Sequence, residues 1–242
     1  MKQFGLIGKT LGHSFSKSYF ENKFRKENIP HVSYKNFPLR SIQEFSTLIK
    51  KHSFSGINVT IPYKIDIIPF LDELSEEAEI IGAVNTIEFK NNKLIGHNTD
   101  YIGFQIAIKP FLKNTMQKAL ILGTGGASKA IVYALKKLGV ECICISRNPI
   151  KNYRGYDELN EKVMQNHLLI INTTPLGTSP IIHECPNIPY EFITTNHLLV
   201  DLIYNPEETL YLKKAKEKGA YFVNGKSMLI HQAEEAWKIW NL

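Results

Sequence analysis

The turn Gly123-Thr124-Gly125-Gly126-Ala127 is the stretch whose residue types and spacing point most directly to a ligand. Residues 119–122 before it read as a short buried strand, and residues 127–138 after it carry a helical apolar stripe. Three glycines at such a junction let the backbone approach a pyrophosphate, with the N–H groups and the positive end of the helix facing the phosphates. A glycine cluster alone fits a structural turn equally well; the flanking strand and helix favour a dinucleotide. Residues 140–145 then read as the next strand, which ends in Ser146, Arg147 and Asn148. A carboxylate is usual there when ribose hydroxyls are bound. An arginine with a hydroxyl beside it and Lys151 close behind suits a 2′-phosphate, the alternative being a solvated surface arginine. NADP(H) is the expected cofactor.

Three polar clusters in the first hundred residues fall at expected strand ends, where open α/β sheets place their ligands. In GHSFSKS, Ser14 and Ser16 alternate and can both donate to one anion such as a carboxylate; one of them can equally cap a helix. In GINVTIPYK, Asn58 and Thr60 share one face of a strand that Pro62 stops, and Lys64 lies just beyond. A lysine there is either a surface group or, if shielded, a group that donates or takes a proton. In GHNTDYIG, Asp100 stands where it could cap the next helix. Near the C-terminus, Leu229, Ala233, Ala236, Trp237 and Trp240 form an apolar stripe that contains Gln232, whose amide needs partners from backbone or from a ligand.

These groups need elements to hold them, and the first hundred residues alternate accordingly. Strands are expected at 4–7, 32–37 and 56–60, helices at 18–27, 42–51 and 72–81, and then a hairpin turning at Asn91 and Asn92. The fold class is α/β: an N-terminal α/β domain followed by a Rossmann-type domain, with a boundary between 100 and 110. At 242 residues and 43% hydrophobic content the chain can build one large or two modest cores. Its longest apolar runs have strand length and the N-terminus lacks a signal-peptide pattern, so a cytoplasmic protein without a membrane partner is expected. Three cysteines, with Cys142 and Cys144 two apart on one strand, give no disulfide framework or metal-ligand spacing and are expected as core thiols, with no metal site. The net charge of +6 is spread among glutamates, as in KKAKEKG, and no nucleic-acid motif accompanies it.

In order along the chain, Ser14/Ser16, NVTIPYK, GAVNT, HNTD, GTGGA, SR, NTTPLG, DLIYNPEET and GKSMLIHQA resemble shikimate dehydrogenase over nearly its whole length. The resemblance implies NADPH-dependent reduction of 3-dehydroshikimate to shikimate, a step towards aromatic amino acids, by a monomer or homodimer. It implies a catalytic pair, Lys64 and Asp100, and substrate contacts from Ser14, Ser16, Asn58, Thr60, Asn85, Tyr204 and Gln232. NADP contacts fall on Gly123, Thr124, Gly125, Gly126, Ala127, Ser146, Arg147, Thr173 and Gly225. Residues 1–102, completed by a returning helix at 227–242, are implied to bind substrate, and 103–226 to bind NADP, with hinge closure excluding water during hydride transfer. Lys17, Phe20, Glu21, Asn148 and Thr178 depart from the family pattern, the first three making the entry helix atypical. Two rivals remain: a relative that accepts quinate or uses NAD, and a non-catalytic sensor of shikimate-like ligands or NADP, against which Lys64 and Asp100 both count.

Overall fold

A computed structural model describes residues 1–12, 14–150 and 153–241. Lys151, expected beside a 2′-phosphate, lies outside the described residues. The chain divides into two compact units, Met1–Asp100 with Leu229–Leu242, and Tyr101–Met228. Among the described residues no helix is long and apolar enough to cross a membrane.

The first unit is built on a six-stranded mixed sheet. Its strands are β1 (Lys2–Gly8), β2 (Val32–Pro38), β3 (Gly56–Val59), β4 (Glu73–Leu74), β5 (Thr86–Lys90) and β6 (Lys93–His97), in the order β2-β1-β3-β5-β6-β4. Strand β1 pairs in parallel with both β2 and β3 and is buried on both faces, which is why it reads as a continuous apolar run. Alternation sends its side chains to two cores. Phe4 and Leu6 meet helix α1 (Phe15–Lys26) and the C-terminal helix, while Ile7 joins the core that contains Phe45 of α2 (Glu44–Lys51) and Ala78 of α3 (Glu76–Ile81). Asn91 and Asn92 turn the β5–β6 hairpin with φ of 52° and 60°, the left-handed pair that a two-residue turn requires.

The helix expected over 72–81 is shorter. Ser75 caps α3 by accepting from the Ala78 N–H at 3.2 Å, and Glu76, Glu77 and Glu79 favour the positive end of that helix. Asp72 instead accepts from Leu94 N–H at 2.7 Å, and Glu73 and Leu74 pair beside β6. Asp72 competes poorly as a cap because the neighbouring strand offers its carboxylate a donor.

In the second unit β7 (Lys118–Leu122), β8 (Glu141–Ile145), β9 (Tyr153–Arg154), β10 (Leu169–Asn172), β11 (Leu198–Asp201) and β12 (Tyr221–Val223) form an all-parallel sheet in the order β9-β8-β7-β10-β11-β12. The order reverses between β7 and β10, the switch point at which doubly wound sheets bind nucleotides. Ala119 and Ile121 of β7 pack with Ile131, Ala134 and Leu135 of α5 (Gly126–Lys137) on one face. Leu120 and Leu122 pack on the other with Met164 of α6 (Glu161–Asn166) and Leu212 of α7 (Leu210–Glu217). Helices α4 (Asp100–Ile108) and α8 (Lys226–Ile239) carry the chain from one unit to the other. Cys142, Cys144 and Cys185 are free and half-buried, and burial raises the Cys144 thiol to about 11.

The ends of β10 and β11 are tied together by Asp201, which is fully buried. Its carboxylate accepts from Asn172 Nδ2 at 3.1 Å, from Ile203 N–H at 3.0 Å and from Thr209 Oγ1 at 2.6 Å. Burial outweighs these donors and lifts the carboxyl from 3.8 to about 6. The folded chain therefore holds this proton more tightly than the unfolded chain. Its contribution, roughly 3 kcal/mol at most, is complete below about pH 4 and lost as pH rises through about 6. In urea unfolding, wild type should lose stability over that window relative to Asp201→Asn, whose amide carries no titrating proton; parallel profiles would contradict this account.

Candidate functional site

Lys64 lies in the turn that follows β3, and its Nζ contacts Asp100 Oδ2 at 2.6 Å with side-chain exposures of 14% and 5%. The turn is pinned close by, where the Lys64 carbonyl accepts from Val84 N–H at 2.7 Å. Asp100 opens α4 without spending its carboxylate as a cap. That duty falls to Asn98, whose Oδ1 accepts from Asp100 N–H at 3.1 Å while its Nδ2 donates to the Ala83 carbonyl at 2.9 Å. Asp100 Oδ1 accepts instead from Asn85 Nδ2 at 2.9 Å.

Asn85 joins this pair to the rest of the cluster. Its Nδ2 also lies 3.3 Å from Gln232 Oε1, and its Oδ1 accepts from Thr99 N–H at 2.7 Å. Gln232, on α8, donates from Nε2 to the Leu229 carbonyl at 2.9 Å, so the amide within the apolar stripe is partnered by one side chain and one carbonyl. Asn58 on β3 donates from Nδ2 to the Asn85 carbonyl and to Thr86 Oγ1, both at 3.2 Å. Thr60 follows β3 half-buried, its N–H on the Ile7 carbonyl at 2.9 Å.

Ser14 is the N-cap of α1, accepting from Lys17 N–H at 3.4 Å, so the capping role is filled by the first of the two serines. Ser16 is half-buried in the first turn of the same helix. Tyr34 donates to Asn58 Oδ1 at 2.8 Å. Burial pushes the Tyr34 phenol well above its usual range, and the Ser16 hydroxyl acts in the opposite sense. Phe20 stacks on the Tyr34 ring with centroids 4.6 Å apart.

In the second unit, Gly123 adopts φ +112°, and a Cβ there would sit 2.7 Å from Thr173 Oγ1, so neither conformation nor space admits a side chain. Thr173 Oγ1 donates to the Leu122 carbonyl at 2.7 Å, fixing the loops after β7 and β10 side by side. Gly125 is exposed with no atom within 4 Å of a Cβ position, and α5 begins there without a side-chain cap. Thr124, Gly126 and Ala127 are half-buried along the same loop and first helical turn. Ser146 and Arg147 end β8, where the Ser146 hydroxyl bonds Asn148 N–H at 3.1 Å and Arg147 is exposed near Tyr156. Tyr204 follows β11 half-buried, and Gly225 lies so close to the Leu202 carbonyl that packing alone demands glycine there. Among the described residues no cluster of His, Cys, Asp and Glu could hold a metal ion.

The substrate-binding domain model of shikimate dehydrogenase matches residues 6–87. A shikimate dehydrogenase (NADP(+)) of Clostridium botulinum is 42% identical over 98% of this chain and 96% of its own. The chain belongs to the shikimate dehydrogenase family. A Thermus thermophilus shikimate dehydrogenase, solved with NADP(H) and shikimate, matches with a TM-score of 0.87 and 30% identity over 99% of this chain and 93% of that one. A Corynebacterium glutamicum quinate dehydrogenase solved with NAD matches at 0.86 and 28%, over 99% and 93%.

Sequence reasoning passed over two participants in this family member's cluster. Thr99 was visible only as part of HNTD, and its buried N–H fixes Asn85. Tyr34 lies in the strand VSYKNFP, whose pattern marks a buried aromatic ring but does not reveal its polar tip. Asn85→Ala would orphan the Thr99 N–H and remove a donor from Asp100, costing about 2–4 kcal/mol in urea unfolding. A loss below about 1 kcal/mol would mean that these bonds are readily replaced by water.

Proposed function

We propose that this chain catalyses the reversible reduction of 3-dehydroshikimate to shikimate with NADPH. Family membership supplies the reaction class, and the shielded Lys64–Asp100 pair, 2.6 Å apart, is the observation that carries the chemistry. Ser14 and Ser16 are assigned to the substrate carboxylate, and Asn58, Thr60, Asn85, Asp100 and Gln232 to the ring hydroxyls, with Tyr204 as a further contact. The first unit is then the substrate domain and the second the NADP domain.

The second unit fits NADP. Gly123 keeps the loop in a conformation that only glycine tolerates, Gly125 leaves space above the uncapped start of α5, and β8 ends in an exposed arginine rather than a carboxylate. The Gly123–Ala127 loop is assigned to the pyrophosphate, Ser146 and Arg147 to the 2′-phosphate, and Thr173 and Gly225 to the remainder of the cofactor. When bound, the cofactor supplies the hydride. The protein's own task is to orient the substrate and handle one proton on its carbonyl oxygen. The Lys64 ammonium hydrogen-bonds that oxygen and supplies its proton as negative charge develops. Asp100 holds the ammonium and, with Asn85 fixing its other oxygen, presents one geometry to an adjacent hydroxyl.

Absorbance at the nicotinamide band should rise with shikimate and NADP⁺. Quinate with NADP⁺ and either substrate with NAD⁺ should respond weakly. Dominant activity on quinate or with NAD⁺ would transfer the chain to that branch, while ligand binding without turnover in any combination would indicate a sensor. Lys64→Ala should lower kcat by about 10²-fold or more with a much smaller change in the shikimate KM, because general acid catalysis acts in the transition state. A change confined to KM would make Lys64 a binding residue only.

A further inference from the structure

Asn58, assigned above to the substrate, is carried by β3, and one buried phenol from another strand donates to its amide oxygen. Tyr34, on the edge strand β2, is 2% exposed. A buried tyrosine hydroxyl needs polar partners, and carbonyls commonly serve. Here the partner is a side chain assigned to the substrate, Asn58.

The bond at Asn58 also fixes which way its amide points. Nδ2 is committed to the Asn85 carbonyl and to Thr86 Oγ1, leaving Oδ1 for the Tyr34 donor. A flipped amide would turn Oδ1 against the Asn85 carbonyl, acceptor against acceptor. The ring is held independently of its hydroxyl, stacked on Phe20 with 16° between planes, and it belongs to the same aromatic core as Phe4, Phe24 and Trp240. Packing and hydrogen bonding at this residue can therefore be separated experimentally.

We propose that Tyr34 is a positioning residue for the substrate, its phenol hydroxyl donating to the Asn58 amide oxygen on β3 so that this amide keeps a fixed orientation. The proposal rests on the shikimate reading and deepens it. Tyr34 makes no contact with the reacting atoms; it acts through Asn58.

Tyr34→Phe keeps the ring and removes the hydroxyl. Its shikimate KM should rise about fivefold to tenfold, the worth of roughly one hydrogen bond, with kcat changed less than about threefold and the NADP⁺ KM unchanged. Combined with Asn58→Ala, the effect on KM should be less than additive, because both changes break the same bond. Phe20→Leu removes the stacking partner and leaves the bond; it should lower the unfolding midpoint while the shikimate KM stays within about twofold of wild type. A folded Tyr34→Phe with unchanged shikimate KM overturns the role, as does an equal rise in both KM values, strict additivity with Asn58→Ala, or a matching KM rise in Phe20→Leu. Wild type is the reference throughout. Wild type inactive on shikimate overturns the shikimate reading and the positioning role together, whereas active wild type beside an unaffected Tyr34→Phe overturns the positioning role alone.

Discussion

An ammonium and a carboxylate held 2.6 Å apart with little exposure to water, Lys64 on Asp100, constrain everything around them in the first unit. Removing two charges from water costs several kcal/mol each, and mutual attraction recovers this only when the remaining lone pairs are also satisfied. Asp100 Oδ1 must therefore find a donor, and Asn85 is that donor. Asn85 can serve only if its amide cannot turn over, which the buried Thr99 N–H ensures by occupying Oδ1. Gln232 then offers an acceptor to the same amide nitrogen, so residues from three distant parts of the chain meet at one amide. The return of the C-terminal helix is part of this requirement. Trp240 anchors its end by donating to the Ile87 carbonyl at 3.0 Å and packs so closely on Gly56 that no side chain fits there.

Asp201 in the second unit is a buried carboxylate solved the opposite way. Its three partners are neutral donors, and with no cation among them burial wins and the acid form is favoured well beyond its usual range. That suits a group whose work is to lash strand ends together. Asp100 faces a lysine instead, and in the reaction proposed above the ammonium it holds supplies the proton. Two carboxylates at the ends of sheet strands thus separate into a structural and a chemical role according to whether a cation stands opposite.

Much of this was legible in the sequence where a local rule decides the outcome. Asn91-Asn92 announces its turn because few other residues accept left-handed φ in succession, and GTGGA announces the strand-to-helix junction because its flanks have the correct periods. Local rules failed where two neighbours competed for one function. Asp72 and Ser75 are both acceptable caps, and only the proximity of β6 decides that Asp72 serves the strand. Asp100 and Asn98 compete in the same manner, and the lysine from another segment decides between them. Tyr34 was illegible for a different reason: β2 buries its ring whether or not the hydroxyl has work to do, and its partner is 24 residues away.

Helix α1 departs most from the family pattern, and its packing explains how it is still held in place. Phe20 is fully buried between the Tyr34 ring, stacked at 4.6 Å, and the Trp240 ring with centroids 5.6 Å apart. Glu21 faces solvent and pairs loosely with Lys17 at 3.8 Å, a contact of little energetic weight. On the side facing α8, Tyr19 donates to Glu234, and Lys23 bridges Glu234 at 2.9 Å and Glu27 at 2.8 Å. The position of α1 is therefore set by an aromatic stack beneath it and a half-buried charge cluster beside it, neither of which uses the serines. Neither serine is needed to hold the helix in place, and Ser14 does no more for the fold than cap its first turn.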